Sequence, residues 1–407
     1  MPRQLAVLAL LFLPLSTQAE ELERLVPDTQ LTLLAVLQKT FERSPRQQVL
    51  QAESVTVESR KLHADGVLPG APAVSMAHQG DASGPGHLTM WETALEVPVW
   101  LPGQRAAREA VARTAGNGLE ANRAGLMWQV AGQLRDAVWD VALNANSADL
   151  AAQRRNTAEA LQRDVERRQQ AGELAKTDVL LVRNETLQAQ TALVRAQAEF
   201  KHAEHRYWML TGLKQLPANP AEKLSDRNEL DERHPLLAET AQRVALTEEE
   251  RNLTRVQKRE NPQVVVNARR ELGAFDSQYN NSLGVAVRIP FDSETRSAPM
   301  MAGAEMAVAQ AMSERDQLLL ALRTALHEAE HNLEVTRDEL AIVEEQNRLM
   351  QESLRLAKKA FELGETDLVS LLRVQALAYE AERALGSRKI QLQWDVARYN
   401  QAVGVLP

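Results

Sequence analysis

The chain has 407 residues, a net charge of −8, no cysteine and only 4% aromatic residues. With no block of Lys or Arg there is no footprint for nucleic acid. With no thiols, an exported form must be held by packing or association rather than by disulfides. Ala, Leu, Gln, Arg and Glu dominate, which is the composition of long helices and not of a compact aromatic core.

Residues 1–19 read as a secretory signal. Arg3 supplies the positive start, 5–15 an apolar run too short to span as a helix, and Thr17-Gln18-Ala19 an A-x-A-like cleavage site. No cysteine follows, so no lipid anchor is expected on the mature chain. No other window approaches 18 apolar residues, so no transmembrane helix is expected either. For a membrane protein the remaining route is a closed β-barrel.

Residues 20–26 read as a short leader. The segment 31–43 (LTLLAVLQKTFER) spaces Leu34, Leu37 and Phe41 along one helical stripe. Ser44-Pro45 starts a second helix to about Ala64, proline being tolerated at the first helical position. Asp65-Gly66 and Pro69-Gly70 are breakers. A strand over 73–79 carries Val74, Met76 and His78 on one face, and the loop 80–86 leads to a second strand over 88–99 with Thr93, Leu95, Val97 and Val99 alternating. The pair reads as a hairpin of strands near the length a tilted membrane strand needs.

Pro98 and Pro102 then mark a joint between strand and helix. From about 103 to 171 there is no proline, and Leu126, Val130, Leu134, Val138 and Val141 form a helical stripe. Gly116-Asn117-Gly118 is the expected break or bend. Such a helix approaches roughly 100 Å. A turn at 171–173 precedes a return helix over 176–212. Residues 216–233 read as a linker, and His234-Pro235 starts a helix to about Lys258. Strands follow over 263–272 and 283–291, the second closed by Pro290. A second long helix starts near Met300, turns at Leu363-Gly364-Glu365 and returns over 367–403.

The second half repeats the first. At an offset of 190, Pro45 matches Pro235 and Pro72 matches Pro262; at 192, Val97-Pro98 matches Ile289-Pro290, Gly172-Glu173 matches Gly364-Glu365, and Gly212 matches Gly404. The copies are 20–215 and 234–407, joined by the linker. Four strands cannot close a barrel, for which about eight are the minimum, and an open edge in lipid leaves backbone groups unsatisfied. Strands in a membrane therefore require several chains per barrel, and three would supply twelve.

The signal, the duplicated layout and the Gly-Glu turns followed by Asp resemble the TolC family of outer-membrane efflux proteins over essentially the whole mature chain. The segment LEVPVWLPGQRAAR (95–108) resembles its heavy-metal (CzcC-like) branch most. The resemblance implies a mainly α fold with a small β part: tandem-duplicated helical hairpins forming a periplasmic α-barrel, and four strands per chain in a shared trimeric twelve-stranded outer-membrane β-barrel. It implies a homotrimer in outer-membrane lipid, docking a periplasmic adaptor and an inner-membrane pump of the resistance-nodulation-division type. The linker and C-terminal tail are short, so the belt around the tunnel is expected to be reduced.

In that family, residues on the second hairpin gate the periplasmic mouth. Matched without gaps, Phe361 stands where an aromatic gate residue is common, Thr366 where a basic one occurs, and Ser370 and Arg373 where acidic ones occur. The chain departs from that pattern and leaves Glu365 and Asp367 as the acids near the mouth. A symmetric ring of them would favour cations; the alternative is that they favour the N-terminus of the return helix. Gly172, Glu173, Lys176, Asp178 and Gly364 are the adaptor-docking candidates.

His202/His205 and His327/His331 share helix faces, but no third ligand is fixed, so no metal site is assigned. Trp91 and Trp100 fit a membrane aromatic girdle, or, for Trp100, packing at the joint. No G-x-S-x-G, P-loop or H-E-x-x-H motif is present, so neither an enzyme nor a cofactor is expected. The reading is a passive efflux channel, with metal cations first and small organics second as cargo. A polypeptide-secretion conduit of the same fold and a non-channel periplasmic coiled-coil scaffold are the alternatives.

Overall fold

The computed structural model describes residues 24–291 and 294–407, so the expected signal at 1–19 lies outside the described residues. The chain begins with a short strand β1 (Val26–Asp28), then α1 (Leu33–Arg43) and α2 (Gln47–Asp65). In α1 the Thr32 hydroxyl accepts from Ala35 N–H at 3.2 Å, and Leu33, Val36, Leu37, Thr40 and Phe41 form the buried stripe. That cap satisfies one of the amides left orphaned at a helix start. Strands β2 (Ala73–Gly80) and β3 (Thr89–Pro98) lead into α3 (Gln104–Gln170), 67 residues long, and α4 (Lys176–Thr211) returns.

The second copy repeats the order. After β4 (Gln215–Pro217) come α5 (Pro235–Val256), β5 (Gln263–Leu272), β6 (Asn280–Arg288), α6 (Glu294–Glu362) and α7 (Leu368–Ala402). The sheet order is β2-β3-β5-β6, antiparallel throughout, so the two hairpins abut and β2 and β6 are its edges. Ala73 pairs with Glu96 in the first hairpin, and Gln263 with Arg288 in the second. These pairs are related by the offsets of 190 and 192 read from the sequence.

Several expectations need correction. The 20–26 leader instead ends in β1, which pairs in parallel with β4; a three-residue strand carries no periodicity to read. The fourth strand lies at 280–288 rather than 283–291. Ile289-Pro290-Phe291 leaves the ladder because proline cannot donate to it, and the polar Asn280-Asn281-Ser282 joins instead. Gly116-Asn117-Gly118 does not break α3. Elsewhere in this helix the glycines make room: a Cβ on Gly125 would lie 2.0 Å from Glu239 Oε2, and one on Gly132 would lie 3.0 Å from Gln401 Nε2. The intrinsic cost of about 1 kcal/mol per glycine is offset by that close approach. Finally, α6 starts at Glu294, not near Met300, and carries Pro299 as its sixth residue. There the missing N–H removes only one intrahelical bond.

Contacts divide the chain into two compact units, each drawn from both copies. One comprises 24–44, 127–229 and 324–407. The other comprises 45–126 and 230–323, described except at 292–293. In the first unit, ion pairs and ring contacts give the helix order α4-α3-α7-α6. Arg154 reaches Glu185 at 2.8 Å, Trp394 Nε1 donates to Asp136 at 2.9 Å, and Arg388 reaches Glu339 at 2.8 Å. The segment after β4 is fastened by buried Arg135, whose Nε and Nη2 donate to Glu222 at 2.8 and 2.6 Å and whose Nη2 also reaches the Val405 carbonyl. Removing either partner would strand a buried charge. No described helix is long and apolar enough to cross a membrane.

Candidate functional site

The four-stranded sheet has two chemically different faces. On one, pairing places Val74, Leu95, Val266 and Val285 in a single rung, flanked by the rungs Met76-Thr93-Ala268-Leu283 and Val97-Val264-Val287. This face is apolar yet open: Val74 is 71% exposed and Leu283 87%. Phe291, just beyond β6, is 93% exposed. A contiguous exposed apolar surface of this kind marks a contact with lipid or with another protein.

The other face is polar. Asn267 Nδ2 donates to Glu92 Oε1 at 2.8 Å, and Arg269 lies 3.4 Å from Glu92 and 3.9 Å from Glu271. A Cβ at Gly284 would lie 2.3 Å from Asn267 Oδ1, so glycine is what lets this amide cross the strand. Apolar-out, polar-in alternation is the pattern of a barrel wall around an aqueous lumen. The outer edges of β2 and β6 have no partner strand among the described residues.

Where β3 becomes α3, Pro98 still pairs with Gln263 as the last rung. Val99 N–H then donates to the Pro262 carbonyl at 2.8 Å, and Asn261 Nδ2 to the Val99 carbonyl at 2.9 Å. Pro102 precedes Gly103, whose φ of +78° turns the chain into the helix. Trp100 does not sit on the sheet: its Nε1 donates to the Val67 carbonyl at 2.9 Å and Arg108 covers its ring at 5.0 Å. Of its two readings, packing at the joint is the one observed. Pro290 lies two residues beyond the last rung of β6, where Arg288 pairs with Gln263.

At the far ends of the helical hairpins, both turns use the same backbone device. Gly172 (φ +83°) and Gly364 (φ +72°) are left-handed, as a Schellman-type helix end requires. Glu173 N–H reaches the Arg168 carbonyl and Glu365 N–H the Ala360 carbonyl, each at 2.9 Å. In the first turn Asp178 accepts from Ala175 N–H at 3.1 Å; in the second Asp367 is itself the N-cap, accepting from Ser370 N–H at 2.8 Å. These hydrogen bonds from Ser370 hold the Asp367 carboxyl below the usual carboxylate range.

Of the residues singled out in the sequence, Glu365, Asp367, Ser370 and Arg373 are exposed and Thr366 is half-buried, all within one turn and the start of α7. Phe361 is set apart from them. It is 4% exposed and packs with Val165, Val182, Leu368 and Leu371 in a cluster drawn from all four helices. Arg168 covers its ring at 4.9 Å and donates to its carbonyl at 3.3 Å. Gly172, Glu173 and Lys176 are exposed and Asp178 half-buried, with Glu173 tied to Arg168 at 3.0 Å. Among the described residues, no group of three or more His, Asp or Glu side chains is arranged to hold a metal ion.

Sequence reading missed a cavity of about 420 Å³ between α2, α3 and α5, lined by Glu53, Arg60, Leu119, Asn122, Glu239 and Arg243. Burial pushes the Glu239 carboxyl up, with Arg46 opposing. Its walls come from three helices well separated in the sequence, so no local pattern announces it.

No family model and no curated protein matches the chain. Solved structures do. CusC aligns with a TM-score of 0.72 at 12% identity over 94% of this chain and 93% of its own. VceC, an outer membrane protein of Vibrio cholerae, gives 0.70 at 15% identity over 92% and 97%. The MtrE outer membrane channel of Neisseria gonorrhoeae gives 0.66 at 15% identity over 92% and 89%. Long helical hairpins joined to a four-stranded antiparallel sheet, in this order and over nearly the full length of both chains, are the fold of the TolC-like outer-membrane channels.

Proposed function

We propose that the chain is one third of a homotrimeric channel in the outer membrane of a Gram-negative cell, with its helical hairpins in the periplasm. The channel passively conducts cargo delivered by an inner-membrane pump of the resistance-nodulation-division type through a periplasmic adaptor. The observation that carries this reading is the sheet: an exposed apolar face, a charged opposite face and two unpaired edges. In lipid such edges must be paired, and three copies of four strands give twelve. The helices support the same closure. The outer helices of the order, α4 and α6, expose Leu180, Leu187 and Val194, and Val335, Ile342, Leu349 and Leu356, at seven-residue spacing, which Leu363 continues just past α6. A seven-residue apolar repeat is a seam awaiting another helix.

The hairpin turns are the adaptor-docking ends, and the second one gates the mouth through Glu365, Thr366, Asp367, Ser370 and Arg373. Phe361 sets the angle of that turn from within the core. MtrE, which shares the fold, has been solved in an open state, which supports a mouth that opens. Heavy-metal cations are the favoured cargo, from the resemblance of 95–108 to the metal-efflux branch and from the exposed acids Glu365 and Asp367; small organic molecules come next. Cell fractionation tests the reading. The protein is expected in the outer membrane, released only by detergent and migrating differently before and after heating. A protein that stays soluble without detergent would end it.

A further inference from the structure

On the apolar face the composition changes abruptly at one rung. The rungs of Met76, Leu95 and Val97 give way to His78-Trp91-Arg270-Asn281, four residues at paired positions across all four strands. Trp91 is half-exposed and stacks on His78 at 4.2 Å, while His78 Nδ1 meets the Met90 carbonyl at 3.2 Å and so fixes the stack. Arg270 is exposed and lies 4.4 Å over the ring of Tyr279, which stands on the same face one rung nearer the loop. Its neighbour Arg269 points to the other face and is satisfied by Glu92 and Glu271. Among the described residues Arg270 has no carboxylate partner; its recorded contact is the tyrosine ring.

The height of this rung identifies its surroundings, given the reading of the sheet as a membrane wall. From Val99 at the helix joint to Trp91 is eight residues, about 27 Å along a strand at ~3.4 Å per residue. At a tilt of about 40° that is about 21 Å of height, close to the ~25 Å apolar band of such barrels. The rung therefore sits where hydrocarbon ends and headgroups begin. An aromatic side chain with a polar tip is favoured there. A guanidinium there, already resting on an aromatic face, offers its planar fork of donors to a phosphate and binds it bidentately.

We infer that Arg270, flanked by Trp91 and Asn281, binds the headgroup phosphate of an anionic lipid in the leaflet on the loop side of the sheet, the side away from Pro98. The inference rests on the membrane-wall reading. The apolar rungs below hold the acyl chains, Tyr279 holds the guanidinium in place, and the site is repeated once per copy around the wall.

The test uses the full-length protein in detergent, offered phosphatidic acid or diacylglycerol with identical chains, with bound lipid counted by native mass spectrometry. Wild type is expected to retain phosphatidic acid about tenfold better than diacylglycerol. R270Q should lose about tenfold of that retention and R270K about threefold, since lysine keeps the charge without the fork. R269Q, on the opposite face, should match wild type. Equal retention by wild type and R270Q, or equal loss in R269Q, would overturn the site. Full displacement of the lipid by millimolar inorganic phosphate would show a free-anion site and overturn the lipid assignment. Flotation with vesicles separates the two layers of argument: wild type and R270Q should both float. If neither floats, the wall reading fails; if both float but retention is unchanged, only this inference fails.

Discussion

At residues 167–178 and again at 359–370 the chain reverses direction through the same backbone bonds around Gly172 and Gly364, yet most of the surrounding side chains differ, and the glutamate kept in both turns is held differently. The first return helix is capped by Asp178 reaching back to Ala175, the second by Asp367 reaching forward to Ser370. The acid has moved by three residues and does the same work. Glu173 is tied to Arg168, whereas its copy Glu365 is exposed and has no ion-pair partner among the described residues. Phe361 is buried where its copy, Gln169, is only half-buried. Duplication has preserved the turn as geometry and released its side chains, so the second turn combines a buried aromatic base with an exposed Glu365 and an N-capping Asp367 at its tip.

The strongest way to break this comparison is at the base. Phe361→Ala should cost about 3–5 kcal/mol locally, as large-to-small changes of buried aromatics do, while Gln169→Ala should stay within about 0.5 kcal/mol. Hydrogen exchange at the two turns checks both. Equal effects would mean that the turns share their packing after all.

The starts of α2, just after Pro45, and of α5, at Pro235, form a second pair with different caps. α2 has no side-chain cap, whereas His234 Nδ1 accepts from Leu236 N–H at 3.3 Å at the start of α5. Burial lowers the His234 pKa to about 4 from an ordinary 6.5. Above pH 6.5 the imidazole is neutral folded and unfolded. Between 6.5 and 4 only the unfolded chain takes the proton, so stability falls as pH drops through that window and levels off below it. The loss is on the order of 2 kcal/mol. His234→Asn keeps a capping acceptor without a titrating group and should flatten acid-side unfolding curves; an unchanged slope would contradict the assignment.

Gly172→Ala and Gly364→Ala should each cost about 1–2 kcal/mol through the left-handed backbone alone, because an added Cβ meets nothing at either site. Unequal costs would show that one turn is already in contact with something else. The smallest expected effect is at the tip. Glu365→Gln with Asp367→Asn should lower cation preference in a planar bilayer by severalfold, whereas Glu173→Gln, whose charge is already held by Arg168, should leave it unchanged. If selectivity does not move, Glu365 and Asp367 are helix-terminus residues only.

Alternation, proline and the repeat offsets made the four strands, the joint at Pro98 and both turns legible in the sequence, because each is set by local backbone constraints. What local pattern does not encode was missed: the three-residue β1–β4 pair, the tolerance of Gly116, Gly118 and Pro299 within helices fixed by tertiary packing, and the β6 boundary. The same applies to Phe361. The family resemblance makes it a gate candidate, but its burial among four helices is not encoded in any local pattern. The place of Arg270 was likewise invisible until the register put it beside Trp91, on the face away from Arg269.

The central claim is that the sheet's free edges are completed by identical chains, and the repeat fixes how. Within the chain the two copies meet through β3 and β5, with Ala94 paired to Asn267. Applying the offsets of 192 and 190, β6 of one chain should meet β2 of the next with Ala286 opposite Ala77. Since the chain has no cysteine, Ala77→Cys combined with Ala286→Cys, oxidised in outer-membrane fractions, should give a disulfide ladder that stops at three chains. Each single variant should stay monomeric on a denaturing gel. The absence of inter-chain disulfide, linkage that favours Gln79→Cys with Ala286→Cys over the matched pair, or a ladder running past three chains would contradict the closed trimeric wall.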